Sequence, residues 1–184
     1  MPFRPSARAV DSRITRIQSL IRDVPDFPSP GVTFKDITPV LGDALAFHTC
    51  IDLLAERFAD EYVETVVGIE SRGFVFAAAL AYRLRAGFTP VRKPGKLPAD
   101  VRRVDYELEY GADAVEMHRD ALGHGQRALI VDDVLATGGT ARATADLVGS
   151  LGGDLVGYGF VLELGFLDGA RHLTGAPVMS LVRA

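Results

Sequence analysis

A 14-residue stretch, RALIVDDVLATGGT at Arg127–Thr140, constrains the fold more than any other part of the chain. Its apolar start, Ala128–Val131, is typical of a strand that is buried on both faces of a parallel sheet. Two acids, a loop of small residues and a helical pattern then follow. Because the N–H groups of such a loop and the positive end of the next helix both attract anions, the stretch predicts a cradle for a sugar phosphate.

The side chains of this stretch fit the same chemistry. The carboxylates of Asp132 and Asp133 can accept hydrogen bonds from two neighbouring ribose hydroxyls, and the hydroxyls of Thr137 and Thr140 can donate to phosphate oxygens. Between the two threonines, paired glycines let the backbone approach a ligand closely. The stretch matches neither GxxxxGK[ST] nor GxGxxG. On spacing alone, a purely structural strand-to-helix turn remains an alternative.

Strand and helix patterns alternate along the rest of the chain. Short apolar runs predict strands at Thr65–Ile69, Phe88–Val91, Asp154–Leu162 and, as a last edge strand, Val178–Val182. Helical spacing predicts helices from Ser12 to an end at Val24-Pro25, over Ala44–Asp60, over Phe74–Leu84 and over about Thr140–Leu151. The alternation predicts an α/β fold, with a central, mostly parallel sheet flanked by helices.

Composition narrows the class of protein. The 184 residues fit a single domain, 1–184, in which the basic, proline-containing residues 1–11 form a loose arm. A net charge of −4 argues against general nucleic-acid binding, and the absence of an apolar run of about 18 residues argues against a membrane span. The N-terminus lacks the apolar region of a secretory signal, and the single Cys50 allows no intramolecular disulfide. We therefore expect a cytoplasmic location.

Three other segments carry candidate ligand groups. The stiff segment Pro25–Gly31 leads to Phe34, which is either a shelf for a flat ligand or part of a rigid connector. Arg72 follows a predicted strand, where it can fork onto a pyrophosphate or make a surface ion pair. Three cations within Arg92–Lys96 precede a long, charged segment with hairpin character, a length that is uncommon unless the segment is functional or disordered.

The stretch DDVLATGGT resembles the phosphoribosyl-pyrophosphate (PRPP) motif of the type I phosphoribosyltransferases, and it is most similar to their adenine branch. Four further segments match that branch in order: PDFPSPGVTFKD (25–36), GIESRGF (68–74), VRKPGKLP (91–98) and ELEYG (107–111). The resemblance covers about residues 13–182. It implies the type I phosphoribosyltransferase fold, with a small N-terminal hood and base-binding segment at 12–40 and a mobile hairpin lid at 95–117.

The resemblance also implies a site for PRPP. The ribose 5-phosphate would bind the loop made of Ala136, Thr137, Gly138, Gly139 and Thr140. The two ribose hydroxyls would bind Asp132 and Asp133. The pyrophosphate would lie against Ser71, Lys93 and Arg72, the last of which is expected to act in catalysis.

Adenine would stack between Phe34 and Leu164, and the backbone groups of Thr33 and Lys35 would read its edge. Lys35 stands where an arginine is common in the family, so a role that needs an arginine fork is not carried over.

The lid would bring Glu109 and Tyr110 to the base and the sugar. Glu109 is the expected catalytic carboxylate, which takes the N9 proton or stabilises developing positive charge.

The implied activity is purine salvage, in which PRPP and adenine give AMP and pyrophosphate. Mg²⁺ would be held mainly by PRPP and water, without protein ligands, and members of the family are homodimers. A phosphoribosyltransferase for another base is one alternative, although those branches differ after the paired acids and lack the PDFPSPG segment. A PRPP-sensing regulator is another, although it should carry a DNA-binding segment and only about 11 residues precede the first helix.

Overall fold

The structure, a computed structural model, describes residues 12–108 and 111–184. The predicted arm at 1–11 lies outside the described residues. The chain divides into two compact units, one that ends at Cys50 and one that begins at Ile51.

The first unit contains helix α1 (Ser12–Leu20), strands β1 (Arg22–Val24) and β2 (Phe34–Asp36), helix α2 (Thr38–Gly42) and the start of helix α3 (Ala44–Arg57). The prediction that the first helix continues to Val24-Pro25 is wrong. Strand β1 pairs antiparallel with β2, and an ion pair at 2.5 Å joins the Arg22 and Asp36 side chains across the two strands. This pairing takes the backbone out of the helix, which therefore ends at Leu20.

The second unit is built on a sheet of five strands in the order β4-β3-β7-β8-β9. All four pairings are parallel, which confirms the predicted sheet, and β9 lies at an edge as predicted. The strands are β3 (Thr65–Ile69), β4 (Gly87–Val91), β7 (Arg127–Leu135), β8 (Asp154–Glu163) and β9 (Val178–Arg183). The helices of this unit, after the end of α3, are α4 (Gly73–Leu84) and α5 (Gly139–Ser150), with short 3₁₀ turns at Ala59–Glu61, Gly165–Leu167 and Gly169–His172.

Strand β7 is central and extends further than its apolar run. The stretch Ala128–Val131 is fully buried, because β3 and β8 pair with both of its edges and helices α4 and α5 pack against the strand. The sequence predicts that the strand ends at Val131, before the acids, but the structure continues it to Leu135. The reason is that β8 runs alongside to the pair Leu135↔Glu163, whereas the last pairing with β3 is at Val131. The two acids therefore lie in a strand that has only one hydrogen-bonded neighbour.

The predicted hairpin is confirmed as a separate antiparallel pair, β5 (Val101–Leu108) and β6 (Gly111–His118). It packs along helix α5, and backbone hydrogen bonds between Arg92 and Glu116 join it to the end of β4. Across the described part of the chain, no helix is both long enough and apolar enough to cross a membrane.

Candidate active site

The paired acids lie where β7 has lost its neighbour β3. Asp133 is buried, and its Oδ2 atom lies 2.6 Å from the Nε atom of Arg72, which is half-exposed in the connection between β3 and α4. No aligned hydrogen bond to Asp133 Oδ2 is formed among the described residues. A buried acceptor of this kind can still receive a hydrogen bond from a ligand hydroxyl, as predicted for the ribose.

Asp132 has a different environment. Its Oδ1 atom accepts a hydrogen bond from the N–H group of Asp133 at 2.9 Å. The start of α4 packs so closely on this carboxyl group that a Cβ atom on Gly73 would collide with it. Burial raises the pKa of Asp132 well above its usual value, and the charge of Asp133 raises it further.

The loop from Ala136 to the start of α5 has the form expected for a phosphate cradle. Gly138, at φ 83°, turns the chain into the helix, and as a glycine at the cap position it has no side chain to bind the N–H groups of the first turn of α5. The N–H groups at a helix start have no partner within the helix, so they remain available to an anion. A cavity of about 70 Å³ is bounded by this loop, Asp132 and Phe160.

One phenol joins three predicted parts of the site. The Tyr106 hydroxyl accepts hydrogen bonds from Thr140 Oγ1 at 3.0 Å and from Lys93 Nζ at 3.1 Å, and it donates to Asp113 Oδ2 at 3.1 Å. Lys93 also forms an ion pair with Asp113, the cross-strand partner of Tyr106. The structure thus connects Thr140 of the phosphate loop and Lys93 of the predicted pyrophosphate site through the hairpin.

Charges in this group reinforce one another. Partial burial opposes the charge of Lys93, but hydrogen bonds to Asp113 and Tyr106 outweigh that effect, so the pKa of Lys93 is raised. The hydrogen bond from Lys93 lowers the pKa of Asp113. Both groups are therefore charged at neutral pH, and the Lys93 cation is shared with the hairpin.

Sequence reasoning missed Glu70, which organises the cations of the neighbouring loop. Its carboxylate forms an ion pair with Lys96. It also accepts hydrogen bonds from the backbone N–H group of Lys93 at 3.0 Å and from Arg92 Nε at 3.2 Å. Burial raises the pKa of Glu70, but these hydrogen bonds outweigh it, and the pKa falls to about 2. The sequence did contain a signal for this role. Glu70 belongs to the matched segment GIESRGF, and its charge is complementary to the three cations at Arg92, Lys93 and Lys96.

Ser71, the remaining residue predicted to bind pyrophosphate, is exposed between β3 and α4, next to Arg72. The peptide bond between Glu70 and Ser71 is cis. The carbonyl group of Ser71 accepts a hydrogen bond from the N–H group of Phe74 at 3.3 Å.

The predicted adenine-binding residues are divided between the two units. In the first unit, Phe34 packs edge-on against Phe27 at a centroid distance of 5.2 Å, and the Lys35 side chain pairs with Asp23 at 2.8 Å. Thr33 directly precedes β2. In the second unit, the N–H group of Leu164 donates to the Leu135 carbonyl at 2.9 Å, which fixes Leu164 to the end of β7.

Glu109 and Tyr110, the residues predicted to act from the lid, lie outside the described residues. The expected motion of segment 95–117 stays a prediction.

The carboxylates of the site bear on how Mg²⁺ would be held. Within residues 12–108 and 111–184, no three side chains among His, Cys, Asp and Glu come together in a way that could hold a metal ion. Asp132 and Asp133 are hard oxygen donors, which is the chemistry that Mg²⁺ prefers. These residues fit an ion that is carried by a phosphate ligand and its water.

Comparisons with known proteins agree with this geometry. Residues 43–164 match the family of the phosphoribosyl transferase domain. An adenine phosphoribosyltransferase from Solibacter usitatus is 59% identical over 167 residues, which span 91% of this chain and 96% of the relative. The crystal structure of adenine phosphoribosyltransferase from Thermoanaerobacter pseudethanolicus matches with a TM-score of 0.90 and 52% identity, covering 93% of this chain and 99% of that one.

The Saccharomyces cerevisiae enzyme, which was crystallised with adenine and an imino-altritol bisphosphate, matches with a TM-score of 0.87 and 41% identity over 92% of this chain and 98% of its own. The paired acids, the phosphate loop and these similarities lead to one assignment. This chain belongs to the phosphoribosyltransferase family, and within it to the adenine phosphoribosyltransferases.

Proposed function

We propose that this protein transfers the 5-phosphoribosyl group of PRPP to N9 of adenine and releases AMP and pyrophosphate. The observation that carries this proposal is the arrangement at the end of β7. There, the buried acceptor Asp133, set against Arg72, directly precedes a helix-start loop that is suited to phosphate. The Saccharomyces cerevisiae and Thermoanaerobacter relatives named above support adenine as the base.

The reaction breaks the bond between the anomeric carbon and the pyrophosphate oxygen, and it forms a bond between that carbon and adenine N9. The N–H groups of the phosphate loop would hold the 5-phosphate, while Asp132 and Asp133 hold the ribose hydroxyls. Fixing the ribose in this way lowers the barrier, because part of the entropy cost is met on binding. Arg72, Ser71 and Lys93 would face the leaving pyrophosphate, whose negative charge increases as the bond breaks.

Adenine would be bound, and its N9 proton accepted, by segments other than those that hold PRPP. Phe34 and Leu164 would stack on the two faces of adenine, and the backbone groups of Thr33 and Lys35 would bind its edge. Glu109 would accept the N9 proton or stabilise the oxocarbenium-like charge, with Tyr110 near the sugar. We propose that the hairpin closes over the bound substrates, since exclusion of water protects a reactive cation.

Mg²⁺ is proposed as the cofactor, and when bound it would neutralise charge on the pyrophosphate. Treatment with a chelator should abolish AMP formation, and added Mg²⁺ should restore it. Full activity after chelation would contradict a role for the metal.

We further propose a homodimer in the cytoplasm. An apolar, exposed surface on α4, at Val75 and Tyr82, supports association, because such side chains are favoured at interfaces. Light scattering after size exclusion should give twice the chain mass of 19.8 kDa.

A panel of bases tests the proposed activity. The protein is incubated with PRPP, Mg²⁺ and adenine, hypoxanthine, guanine or xanthine, and the nucleotide and pyrophosphate are quantified. AMP formation at a kcat/KM far above the values for the other bases is expected. Turnover of hypoxanthine or guanine without AMP formation would assign the protein to another base.

A further inference from the structure

The phosphate loop rests directly on a second piece of backbone. Gly169 begins the 3₁₀ turn Gly169–His172, and a Cβ atom at this position would collide with the Ala136 carbonyl oxygen and lie 2.9 Å from the carbonyl carbon of Thr137. From the side of the loop, a Cβ atom on Gly138 would lie 2.5 Å from the Gly169 carbonyl oxygen. The two backbones are therefore in contact with no side chain between them.

Left-handed backbone brings both segments into this contact. Asp168, just before Gly169, has φ 53°, and Gly138 has φ 83°. The segment that carries Gly169 begins beside β7, where the Leu164 N–H donates to the Leu135 carbonyl. Gly165 in the same segment differs, because a Cβ atom there would meet the flexible side chain of Arg183. Of the two glycines compared in this segment, Gly169 is the one at which an added methyl group would press on the backbone of the phosphate loop.

We propose that Gly169 is a positioning residue for the ribose 5-phosphate, acting through the backbone at Ala136–Gly138. The inference rests on the proposed function of that loop. A displaced loop would aim its N–H groups away from the 5-phosphate, and misplacement by about 1 Å at a binding site can cost about 100-fold. The predicted pyrophosphate groups, Arg72 and Lys93, lie on other segments, so pyrophosphate binding should be unaffected.

The two halves of PRPP provide the test. Binding of ribose 5-phosphate and of magnesium pyrophosphate is measured separately by calorimetry, for the wild type, Gly169→Ala and Gly149→Ala. Gly149 lies in α5 with nothing within 4 Å of a Cβ atom, so its variant is a matched control with the same chemical change. We expect Gly169→Ala to weaken ribose 5-phosphate at least tenfold, to raise KM for PRPP similarly and to change pyrophosphate binding less than twofold. Gly149→Ala should leave both ligands unchanged.

Three other results would contradict the inference, and each would point to a different cause. Unchanged affinity of Gly169→Ala for ribose 5-phosphate would show that the contact does not set the position of the loop. Loss of pyrophosphate binding as well, or of cooperative thermal unfolding, would assign Gly169 to stability of the fold. A wild type that binds no ribose 5-phosphate would contradict the proposed function itself, which separates the two failures.

Discussion

The phosphate loop and the hairpin are both parts of the proposed site, but they reach it in different ways. The loop continues from β7, whose residues Ala128–Val131 are fully buried between two parallel neighbours. The hairpin strands pair with each other and join the end of β4 through the backbone of Arg92 and Glu116, while Val115 and Met117 of β6 enter the core. The polar groups of Tyr106 and Lys93 connect the hairpin to the phosphate loop. Groups that bind the ribose are thus fixed by the core, whereas the hairpin groups that reach the phosphate loop are held there by polar contacts that substrate phosphates can replace.

The comparison predicts that the largest loss follows a change in the core-supported region. Asp133→Ala removes a buried acceptor for a ribose hydroxyl and the partner of Arg72. We expect kcat/KM for PRPP to fall about 300-fold, since a hydrogen bond to a charged group contributes about 1.5–3 kcal/mol and the ion pair with Arg72 is lost as well. Initial rates at varied PRPP would measure it.

The matched control is Asp52→Ala, which removes an exposed carboxylate paired with Arg83 at 2.9 Å. It should change kcat/KM less than twofold, because exposed pairs contribute little. A loss for Asp133→Ala no greater than for this control would contradict the role of the buried acid.

The second largest loss of activity is expected from Glu109→Ala, a change in the predicted lid. General acid–base groups contribute about 100-fold or more, so kcat should fall about 100-fold while KM for PRPP changes little. Steady-state rates at saturating adenine separate these two effects. Asp105→Ala, which removes an exposed carboxylate paired with Arg103 on β5, is the control and should retain activity. Full activity of Glu109→Ala would remove this residue from the chemistry.

Tyr106→Phe tests the junction between the two regions. It deletes only the hydroxyl that joins Thr140, Lys93 and Asp113. We expect kcat/KM for PRPP to fall about fivefold, which corresponds to about 1 kcal/mol for a shared hydrogen-bonding group. Tyr62→Phe, at a residue that is 81% exposed, should have no effect. Equal activity of both variants would show that the hairpin is not coupled to the loop through this phenol.

The smallest effect concerns stability. The pKa of Glu70 is lowered to about 2, from an ordinary value of 4.5. A lowered pKa contributes stability that is present above pH 4.5 and is lost as the pH falls toward 2. Glu70→Gln should therefore reduce the free energy of unfolding by about 1 kcal/mol at pH 7, after allowance for solvent screening, and by less at pH 3. Urea unfolding at both values would measure the difference.

Asp60→Asn, on the exposed turn Ala59–Glu61, is the control for this series. It should shift the free energy of unfolding little, and by a similar amount at both pH values. A constant effect of Glu70→Gln between pH 7 and pH 3 would contradict the assignment to ionisation.

Sequence patterns identified the strands well because each apolar run carries its own signal. Thr65–Ile69 was predicted with its observed bounds, and all five residues are buried. Strand ends were less accurate, because neighbouring chains determine them. Strand β7 continues past Val131 because β8 continues beside it, and α1 stops at Leu20 because Arg22 pairs with Asp36.

The candidate site shows the same division. The acids and the phosphate loop are contiguous in sequence, so their residue types and order predicted their chemistry, and the further matching segments favoured it over a purely structural turn. The Tyr106 junction depends on the cross-strand pairing of Tyr106 with Asp113 and on packing against α5, 34 residues away at Thr140. A contact between residues so far apart in the chain leaves no pattern in the local sequence from which it could be predicted. Glu70 was visible in principle, through its charge complementarity with Arg92 and Lys96.

The central place of β7 also sets an order in which parts of this unit can open. Its amide groups up to Val131 are hydrogen-bonded on both sides of the strand, so their protons should be among the last to exchange with solvent. A partly opened state that keeps the sheet and the start of α5 would therefore keep the cradle for the 5-phosphate. A molecule whose hairpin has opened would therefore still bind a sugar phosphate, although it could not catalyse the transfer.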